Sequence, residues 1–251
     1  MLRNLGVESM ALGFVAGSTG ESITRFLQEK GCRTDFITLP EGMSRINVKL
    51  KSEQETEING QGPYITEDAI QALYEKLDKL KIGDVLVLGG SIPHTLPSDM
   101  YERILARLYG RGISTAVDAT GELLLRVLKY HPFLIKPNET ELAELCCRVP
   151  QSDEELVCCA RELQAQGARN VLLSLAERGG MLVTEQGEIH GSMPPTAKPS
   201  IPSVPGTPWS PVSWQDLCSA EIITKPSARA LPPEAPPHSV SGSLTKCWCV
   251  S

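Results

Sequence analysis

The chain has 251 residues, 41% of them hydrophobic, and a net charge of −6, which is enough length and apolar surface for one sizeable domain. The acidic balance argues against nucleic acid or an anionic membrane surface as a partner, and no segment has the ~18 apolar residues of a membrane span. The start lacks the apolar run of a signal peptide, so we expect a cytoplasmic protein. The eight cysteines show no C-x-x-C spacing, and we interpret them as reduced thiols.

The first patterned region, residues 34–58, alternates apolar and polar residues, as antiparallel strands with one solvated face do. We therefore expect a small β-flap over about 34–59. The next segment, "ITEDAIQALYEKLDKLKIG", predicts a helix with Thr66 as its N-cap and Gly83 as its stop. Its buried face is formed by Ile70, Leu73, Leu77 and Leu80.

Strands and helices then alternate along the chain. After the buried strand "DVLVLGG" we expect a helix over about 97–108, the strand "ISTAV", the helix "ELLLRVLKY", the strand "FLI", the helices "ETELAEL" and "SDEELVCCARELQAQG", and the strand "NVLLSL". Ser152 and Glu155 are spaced as a capping box. This order predicts an α/β domain with a mostly parallel sheet, helices on both faces and the flap attached.

The composition changes sharply near residue 191. Twelve of the nineteen prolines and all three tryptophans lie in residues 191–251. We therefore divide the chain into a patterned domain, 1–190, and a Pro/Ser-rich tail, 191–251, that is expected to be disordered.

Four loops stand out together, because ligands of open α/β sheets bind beyond the carboxyl ends of the strands. They are "SRINVK" in the flap and "GGSIP", "KPNETE" and "SLAERGG" after strands. In this order the chain resembles the ribokinase-like carbohydrate kinases from about residue 2 to 190. Three segments are similar in sequence to the branch of this family that contains 1-phosphofructokinase and tagatose-6-phosphate kinase. They are "INVKLK", "GSIPHTLPSDMY" and "KYHPFLIKPNETEL".

The resemblance implies a three-layer ribokinase-like fold and the transfer of a phosphoryl group from ATP to a sugar phosphate, with Mg²⁺ as cofactor. Arg45 would contact the sugar phosphate, a task that suits the planar guanidinium, and Ser91 would line the sugar site. The alternatives are an exposed flap charge for Arg45 and a simple turn residue for Ser91. The family often pairs two copies through the flap, and for this chain the oligomeric state is left open.

The resemblance also implies an ATP site. Lys136, Asn138, Ser174 and Gly179 would lie along the nucleotide, and Glu141 would help to hold hydrated magnesium, for which one or two carboxylates suffice. The "NETE" segment can equally be a helix cap with an acidic first turn, and the Gly179 loop can be a tight turn between two strands.

Four further residues have weaker assignments. Asp118 and Gly121 in "VDATG" follow a strand that points at the same edge, and we interpret them as supporting residues around the site. His94 and His131 fit no metal-ligand spacing, and we interpret both as surface or packing residues.

The family's catalytic turn, N-x-x-G-A-G-D, carries the catalytic Asp and the N–H groups that face the phosphate, and this chain has no G-A-G-D. Permitted codons for "SIPSVPGTPWS" at residues 200–210, reread one base out of frame, give NSVGAGDSMV. We therefore predict a frameshift between about residues 183 and 193, in the gene or in its record. The family's first strand and "GGKGxN" sugar-binding turn are also not found, so we interpret Met1 as a late start.

Three functions were weighed. The first is an ATP-dependent kinase of fructose 1-phosphate or tagatose 6-phosphate by lineage. The second, for the chain as written, is a remnant without a catalytic residue that at most binds nucleotide. The third is a dinucleotide-dependent oxidoreductase, which the chain disfavours because no strand leads into G-x-G-x-x-G with an acidic residue about 20 positions later.

Overall fold

A computed structural model describes residues 7–50 and 56–192 and the backbone of residues 247–250. These residues form thirteen strands and six helices. In chain order the elements are β1 (Ser9–Leu12), β2 (Phe14–Ala16), α1 (Gly17–Glu29), β3 (Arg33–Thr34), β4 (Ile37–Leu39), β5 (Asn47–Leu50), β6 (Thr56–Asn59), α2 (Glu67–Leu77), β7 (Val85–Gly89), α3 (Met100–Leu108), β8 (Ser114–Asp118), α4 (Gly121–Leu128), β9 (Leu134–Ile135), α5 (Glu139–Leu145), α6 (Asp153–Ala165), β10 (Asn170–Ser174), β11 (Gly180–Val183), β12 (Ile189–Ser192) and β13 (Cys247–Val250).

The central sheet has nine strands in the order β12-β11-β10-β9-β8-β7-β13-β1-β3. The pairings from β10 through β7 and β13 to β3 are parallel, whereas β11 and β12 form an antiparallel edge. This arrangement confirms the predicted α/β class with a mostly parallel sheet. Parallel strands bury both faces, and all five residues of β7 are buried accordingly.

Alternate residues of the strands face two separate apolar clusters, as the two-residue period of a strand requires. Leu86 and Leu88 of β7 belong to the larger cluster, together with residues of α2, α3, α4, α5 and α6. Val85 and Val87 belong to the smaller one, which contains no residue from a described helix. The sequence predicts helices on both faces, and among the described helices α2 to α6 pack on the same one.

The predicted helix caps are confirmed. Thr66 precedes α2 and its hydroxyl accepts a hydrogen bond from the N–H of Ala69, while Ile70, Leu73, Leu77 and Leu80 are buried as expected. Ser152 caps α6 by accepting from the N–H of Glu155. The carboxylate of Glu155 reaches the N–H of Gln151 rather than that of Ser152, so the reciprocal half of the predicted capping box does not form.

The flap is smaller than the sequence pattern predicts. β5 and β6 form the antiparallel hairpin, but β4 pairs in parallel with β2 in a separate two-stranded sheet. The alternating pattern of residues 34–58 cannot identify this pairing, because the partner strand β2 lies outside the patterned region. The hairpin leaves Val48 and Ile58 exposed on the surface.

Most of the predicted tail, residues 193–246 and 251, lies outside the described residues. Gly191 and Ser192 complete β12, and residues 247–250 form β13 inside the central sheet. At these six positions the chain has strand where the sequence predicts an irregular tail. Five cysteines in residues 7–192 are free: Cys32, Cys146, Cys147, Cys158 and Cys159. No helix among the described residues is long and apolar enough to cross a membrane.

Candidate functional site

The site residues predicted after strands converge at one edge of the sheet, where β8, β9 and β10 end. Lys136 directly follows β9, and its N–H donates to the carbonyl of Val117 in β8 at 3.2 Å. Ser174 ends β10, forms a parallel bridge with Asn138, and donates its N–H to the carbonyl of Pro137 at 3.1 Å. The backbone therefore places Lys136, Asn138 and Ser174 side by side, as the sequence predicts.

A buried ion pair lies at this edge. The Nζ of Lys136 is 3.5 Å from Oδ1 of Asp118, and the two side chains are only 7% and 8% exposed. The other carboxylate oxygen, Oδ2 of Asp118, is buried without a hydrogen-bond partner among the described residues. An orphaned buried oxygen beside a cation is an unusual arrangement that favours a polar ligand at this point.

The environment shifts the ionisation of Asp118. Burial is the largest cause and raises the pKa of its carboxyl to about 6, Lys136 opposes this shift, and the nearby Glu141 adds to it. The pKa of this carboxyl is thus closer to neutrality than that of an ordinary aspartic acid. Sequence analysis treated Asp118 as a supporting residue, and the structure places it at the centre of the site.

Asn138 and Glu141 form a reciprocal capping box at the start of α5. Oδ1 of Asn138 accepts from the N–H of Glu141 at 2.8 Å, and Oε2 of Glu141 accepts from the N–H of Asn138 at 2.9 Å. The cap that sequence analysis held open as an alternative is therefore present. It fixes both side chains next to Lys136, so capping and ligand contact are compatible.

The loop after β10 turns tightly over the same edge. Gly179 has a φ of 88°, a conformation that side chains rarely adopt, and the carbonyl of Gly179 accepts from the N–H of Leu175 at 2.8 Å. Arg178 in this loop pairs with Glu139 of α5 and Asp153 of α6 at 2.5 and 2.8 Å. These ion pairs join the Gly179 loop to α5, a connection that sequence analysis missed because the partners are distant in sequence.

The two predicted sugar phosphate residues contact each other. Nη2 of Arg45 donates to the hydroxyl of Ser91 at 2.9 Å, which joins the flap to the loop after β7. The neighbouring Ser44 is buried and fixes the flap, because its hydroxyl accepts from the N–H of Ala16 at 3.0 Å and its own N–H donates to the carbonyl of Ala16. Both side chains of the Arg45–Ser91 pair are exposed, so a ligand can reach them.

A residue without a predicted role supports the loop after β7. The hydroxyl of Tyr101 in α3 donates to the carbonyl of Gly90 at 2.9 Å. Burial raises the pKa of Tyr101, and the charge of Asp118 raises it further, so Tyr101 stays protonated as a donor. Its spacing on the buried face of α3 predicts burial, but no local pattern reveals its partner.

Gly121, His94 and His131 are the remaining residues singled out in the sequence. Gly121 begins α4 with a φ of 56°, which permits the turn after Asp118. His94 is exposed, and Nδ1 of His131 lies 3.2 Å from the carbonyl oxygen of Gly167. These contacts agree with surface and packing roles for the two histidines.

The donors at this edge suit a hydrated divalent ion better than a metal held only by protein. No group of three His, Cys, Asp or Glu side chains comes together for a metal in the described residues. Asp118 offers an oxygen without a partner, and Glu141 is close enough to influence its pKa. One or two carboxylates are what Mg²⁺ takes when water and phosphate oxygens supply its other ligands, so the residues fit the implied ion.

Ligands of open α/β sheets bind beyond the carboxyl ends of the strands, and these polar and charged side chains lie in that position. Residues 1–199 match the family described as "pfkB family carbohydrate kinase". The chain belongs to this family. This family match argues against the hypothesis of a dinucleotide-dependent oxidoreductase.

Two relatives and one solved structure show the extent of the similarity. The 1-phosphofructokinase of Bacillus subtilis (strain 168) is 42% identical over 194 residues, which are 77% of this chain and 64% of the relative. The D-tagatose-1-phosphate kinase of Bacillus licheniformis is 34% identical over 247 residues, 98% of this chain and 78% of the relative. Phosphofructokinase-2 from Escherichia coli in complex with potassium superposes with a TM-score of 0.69 at 25% identity, over 78% of this chain and 65% of that one.

Proposed function

We propose that the chain keeps the nucleotide and sugar phosphate contacts of an ATP-dependent ketohexose phosphate kinase but does not transfer the phosphoryl group. Because the chain spans 64% of the Bacillus subtilis relative, activity, substrates and partners are part of this proposal. The observation that carries it is the convergence of Lys136, Asn138 and Ser174 at one edge, held by backbone hydrogen bonds between β8, β9 and β10.

The nucleotide would lie along this edge with its phosphates near Lys136. A single buried ammonium suits a phosphate as a point charge, and displacement of Asp118 toward a bound cation would free Lys136 to contact it. The Gly179 loop lets the backbone approach the nucleotide closely, and its link to Glu139 and Asp153 through Arg178 keeps it in place.

Mg²⁺, when bound, would neutralise negative charge on the phosphates. Asp118 and Glu141 are the residues that would hold it through water, and the partnerless Oδ2 of Asp118 supports this assignment. ATP and Mg²⁺ are the cofactors of the proposal, and a cytoplasmic location, where both are abundant, is part of it.

The sugar phosphate would bind between the flap and the loop after β7. Arg45 would turn from Ser91 toward the phosphate, whose oxygens match the guanidinium in pairs. The two relatives are a 1-phosphofructokinase and a D-tagatose-1-phosphate kinase, so we favour fructose 1-phosphate or tagatose 1-phosphate over the tagatose 6-phosphate of the sequence prediction.

The absence of transfer is proposed from the sequence, which has no G-A-G-D to supply a general base and phosphate-facing N–H groups. The family match ends at residue 199, next to the segment whose shifted reading gives NSVGAGDSMV. The alignment with the Bacillus licheniformis kinase covers 98% of this chain and so extends beyond that point. Sequencing the gene across codons 180–200 decides between a shifted and an intact frame.

The binding proposal is tested by titrating Mg·ATP into the purified chain and into Lys136→Met. We expect Lys136→Met to weaken binding by roughly 10- to 100-fold, the usual cost of one charge-assisted phosphate contact. Lys79→Met changes an exposed lysine that follows α2 and has no predicted role at the site, so it is the control and should bind like the parent.

The milder Ser174→Ala tests the same edge without removing a buried charge, and we expect a loss of a few fold. Thermal unfolding of each variant separates a folding defect from a binding defect. Equal Mg·ATP affinity in the parent, Lys136→Met and Ser174→Ala would place the nucleotide elsewhere and contradict the proposal.

A further inference from the structure

The last strand of the chain lies inside the sheet rather than at its edge. β13 runs parallel to both neighbours, with Cys247 to Val250 in register with Ser9 to Leu12 of β1 on one side and with Val85 to Leu88 of β7 on the other. All four residues of β13 are therefore paired twice. A four-residue segment from residues 247–250 is thus an internal strand of the sheet, third from the β3 edge.

Within the sheet, β13 is the hydrogen-bonded join between two groups of strands. β1 and β3 lie on one side of it, and β7 to β12 lie on the other. Without β13, the backbones of β1 and β7 would face each other across about 9–10 Å, twice the spacing of neighbouring strands. Their N–H and C=O groups would then be buried without partners, which is costly, so this gap requires a strand.

Apolar packing keeps the two groups of strands together and so gives the gap a fixed shape. Leu12 of β1 and Leu86 and Leu88 of β7 are fully buried in the same cluster. A further contact joins the two sides outside the sheet, because Nζ of Lys76 in α2 lies 2.5 Å from Asp35, whose N–H donates to the carbonyl of Ala11 in β1. A site of constant width lined by strand backbone on both walls is what β-strand addition needs.

The chain can fill this site with its own end. β12 ends at Ser192 and lies six strand positions from β13, about 29 Å at the usual spacing. Residues 193–246 connect the two strands, and about nine extended residues, at ~3.3 Å each, would be enough to span that distance. A tethered strand is present at a high effective concentration, so the segment from the same chain outcompetes one from another copy.

We propose that the gap between β1 and β7 is a strand-binding site for an extended peptide segment and that its occupant is the chain's own Cys247–Val250. Filling the site aligns the two sides of the molecule. β1 leads to β2 and Ala16, which fixes Ser44 and the flap, whereas β7 leads to the loop with Ser91. The occupied site therefore sets the distance between Arg45 and Ser91.

Hydrogen exchange on the full chain is the direct test, and it does not depend on nucleotide binding. We expect the backbone amides of β1, β7 and β13 to be protected, and Trp248→Pro, which removes a donor from the strand, to speed exchange in β1 and β7 by at least about tenfold. Ser241→Pro places a proline in the preceding segment as a control and should leave this protection unchanged. Equal protection of β1 and β7 in the parent and in Trp248→Pro would overturn the proposal.

Peptide complementation provides a second test under reducing conditions. The full-length Trp248→Pro variant should bind a synthetic peptide of residues 246–251 at one to one and regain the unfolding midpoint of the parent, while a scrambled peptide should have no effect. Absence of binding with an unchanged midpoint would contradict the site. Protection of β1 and β7 that appears only at concentrations where the full chain dimerises would assign the strand to a second copy and overturn the choice of occupant.

Discussion

At the scale of single residues, Asp118 is a carboxylic acid in a buried environment that is very different from water. Burial raises the pKa of its carboxyl to about 6, against the ordinary value of 3.8, although Lys136 stands 3.5 Å away. Natural cores rarely leave a carboxylate oxygen without a partner, and such exceptions are found mainly where a ligand or an ion completes the set. We therefore regard Asp118 as part of the binding edge.

The pKa of Asp118 predicts how stability depends on pH. The folded chain holds a proton that the unfolded chain releases between about pH 4 and pH 6, so the free energy of unfolding falls as the pH rises through this window. The fall is roughly 3 kcal/mol for this difference in pKa. Asp118→Asn removes the titrating group, and urea unfolding at several pH values should show the parent losing stability relative to the variant over pH 4–6. Parallel curves would contradict the buried, titrating carboxyl.

Arg45 gives a second prediction at this scale. Arg45→Lys keeps the charge but removes the planar fork, and we expect the affinity for fructose 1-phosphate to fall roughly tenfold, with a larger loss for Arg45→Ala. The comparison is made by equilibrium titration. Arg25→Lys, at an exposed position of α1, is the matched control, and a similar loss in that variant would show a general charge effect instead.

At the scale of elements, much of the fold follows from local sequence. Thr66 and Ser152 cap their helices, and β7, β8 and β10 are buried strands, because caps and hydrophobic periods act over a few residues. α1 was not predicted. It begins at a glycine and fully buries only Gly20, although Ile23, Phe26 and Leu27 have the i, i+3, i+4 spacing of an apolar helix face.

Elements that depend on distant partners could not be predicted. The alternating sequence pattern predicts β4 as part of an antiparallel hairpin, yet β4 pairs in parallel with β2. β13 is a four-residue strand in a segment whose composition predicts disorder. At the candidate site, the resemblance predicts which loops are involved. It does not predict the ion pair of Arg178 with Glu139 or the hydrogen bond of Tyr101 to Gly90. Their partners lie on other elements, and only the folded backbone brings them together.

The cap of α2 allows a quantitative prediction for one element. Thr66→Ala leaves the N–H of Ala69 without its side-chain acceptor and should lower the free energy of unfolding by about 1 kcal/mol. Thr66→Ser retains the hydroxyl and should stay within a few tenths of the parent. Denaturant unfolding measures both. An unchanged stability in Thr66→Ala would mean that solvent replaces the cap at no cost.

At the scale of the whole molecule, the sheet depends on both ends of the described chain. In the sheet, β13 lies between β1, near the start of the described residues, and β7, in the middle of the chain. The candidate site lies at the ends of β8, β9 and β10, on the far side of β7. The composition of residues 193–246 still predicts a segment that proteases reach before the sheet.

Cleavage after Glu234 with a glutamate-specific protease should precede cleavage of the body, because the body is the packed part of the chain. The resulting fragment, residues 235–251, should remain bound through β13 and elute with the body in gel filtration, where mass spectrometry identifies it. A segment as resistant as the sheet would contradict the predicted disorder, and prompt loss of the fragment would contradict the role of β13.

The central claim is that the chain binds the substrates of its family without turning them over. Calorimetric titration of Mg·ATP into the chain with saturating fructose 1-phosphate tests both halves at once, because binding gives discrete heats and turnover gives sustained thermal power. We predict discrete heats that return to the baseline and fit one site. Sustained power that corresponds to a turnover near about 1 per second, or no heat beyond dilution, would contradict the account.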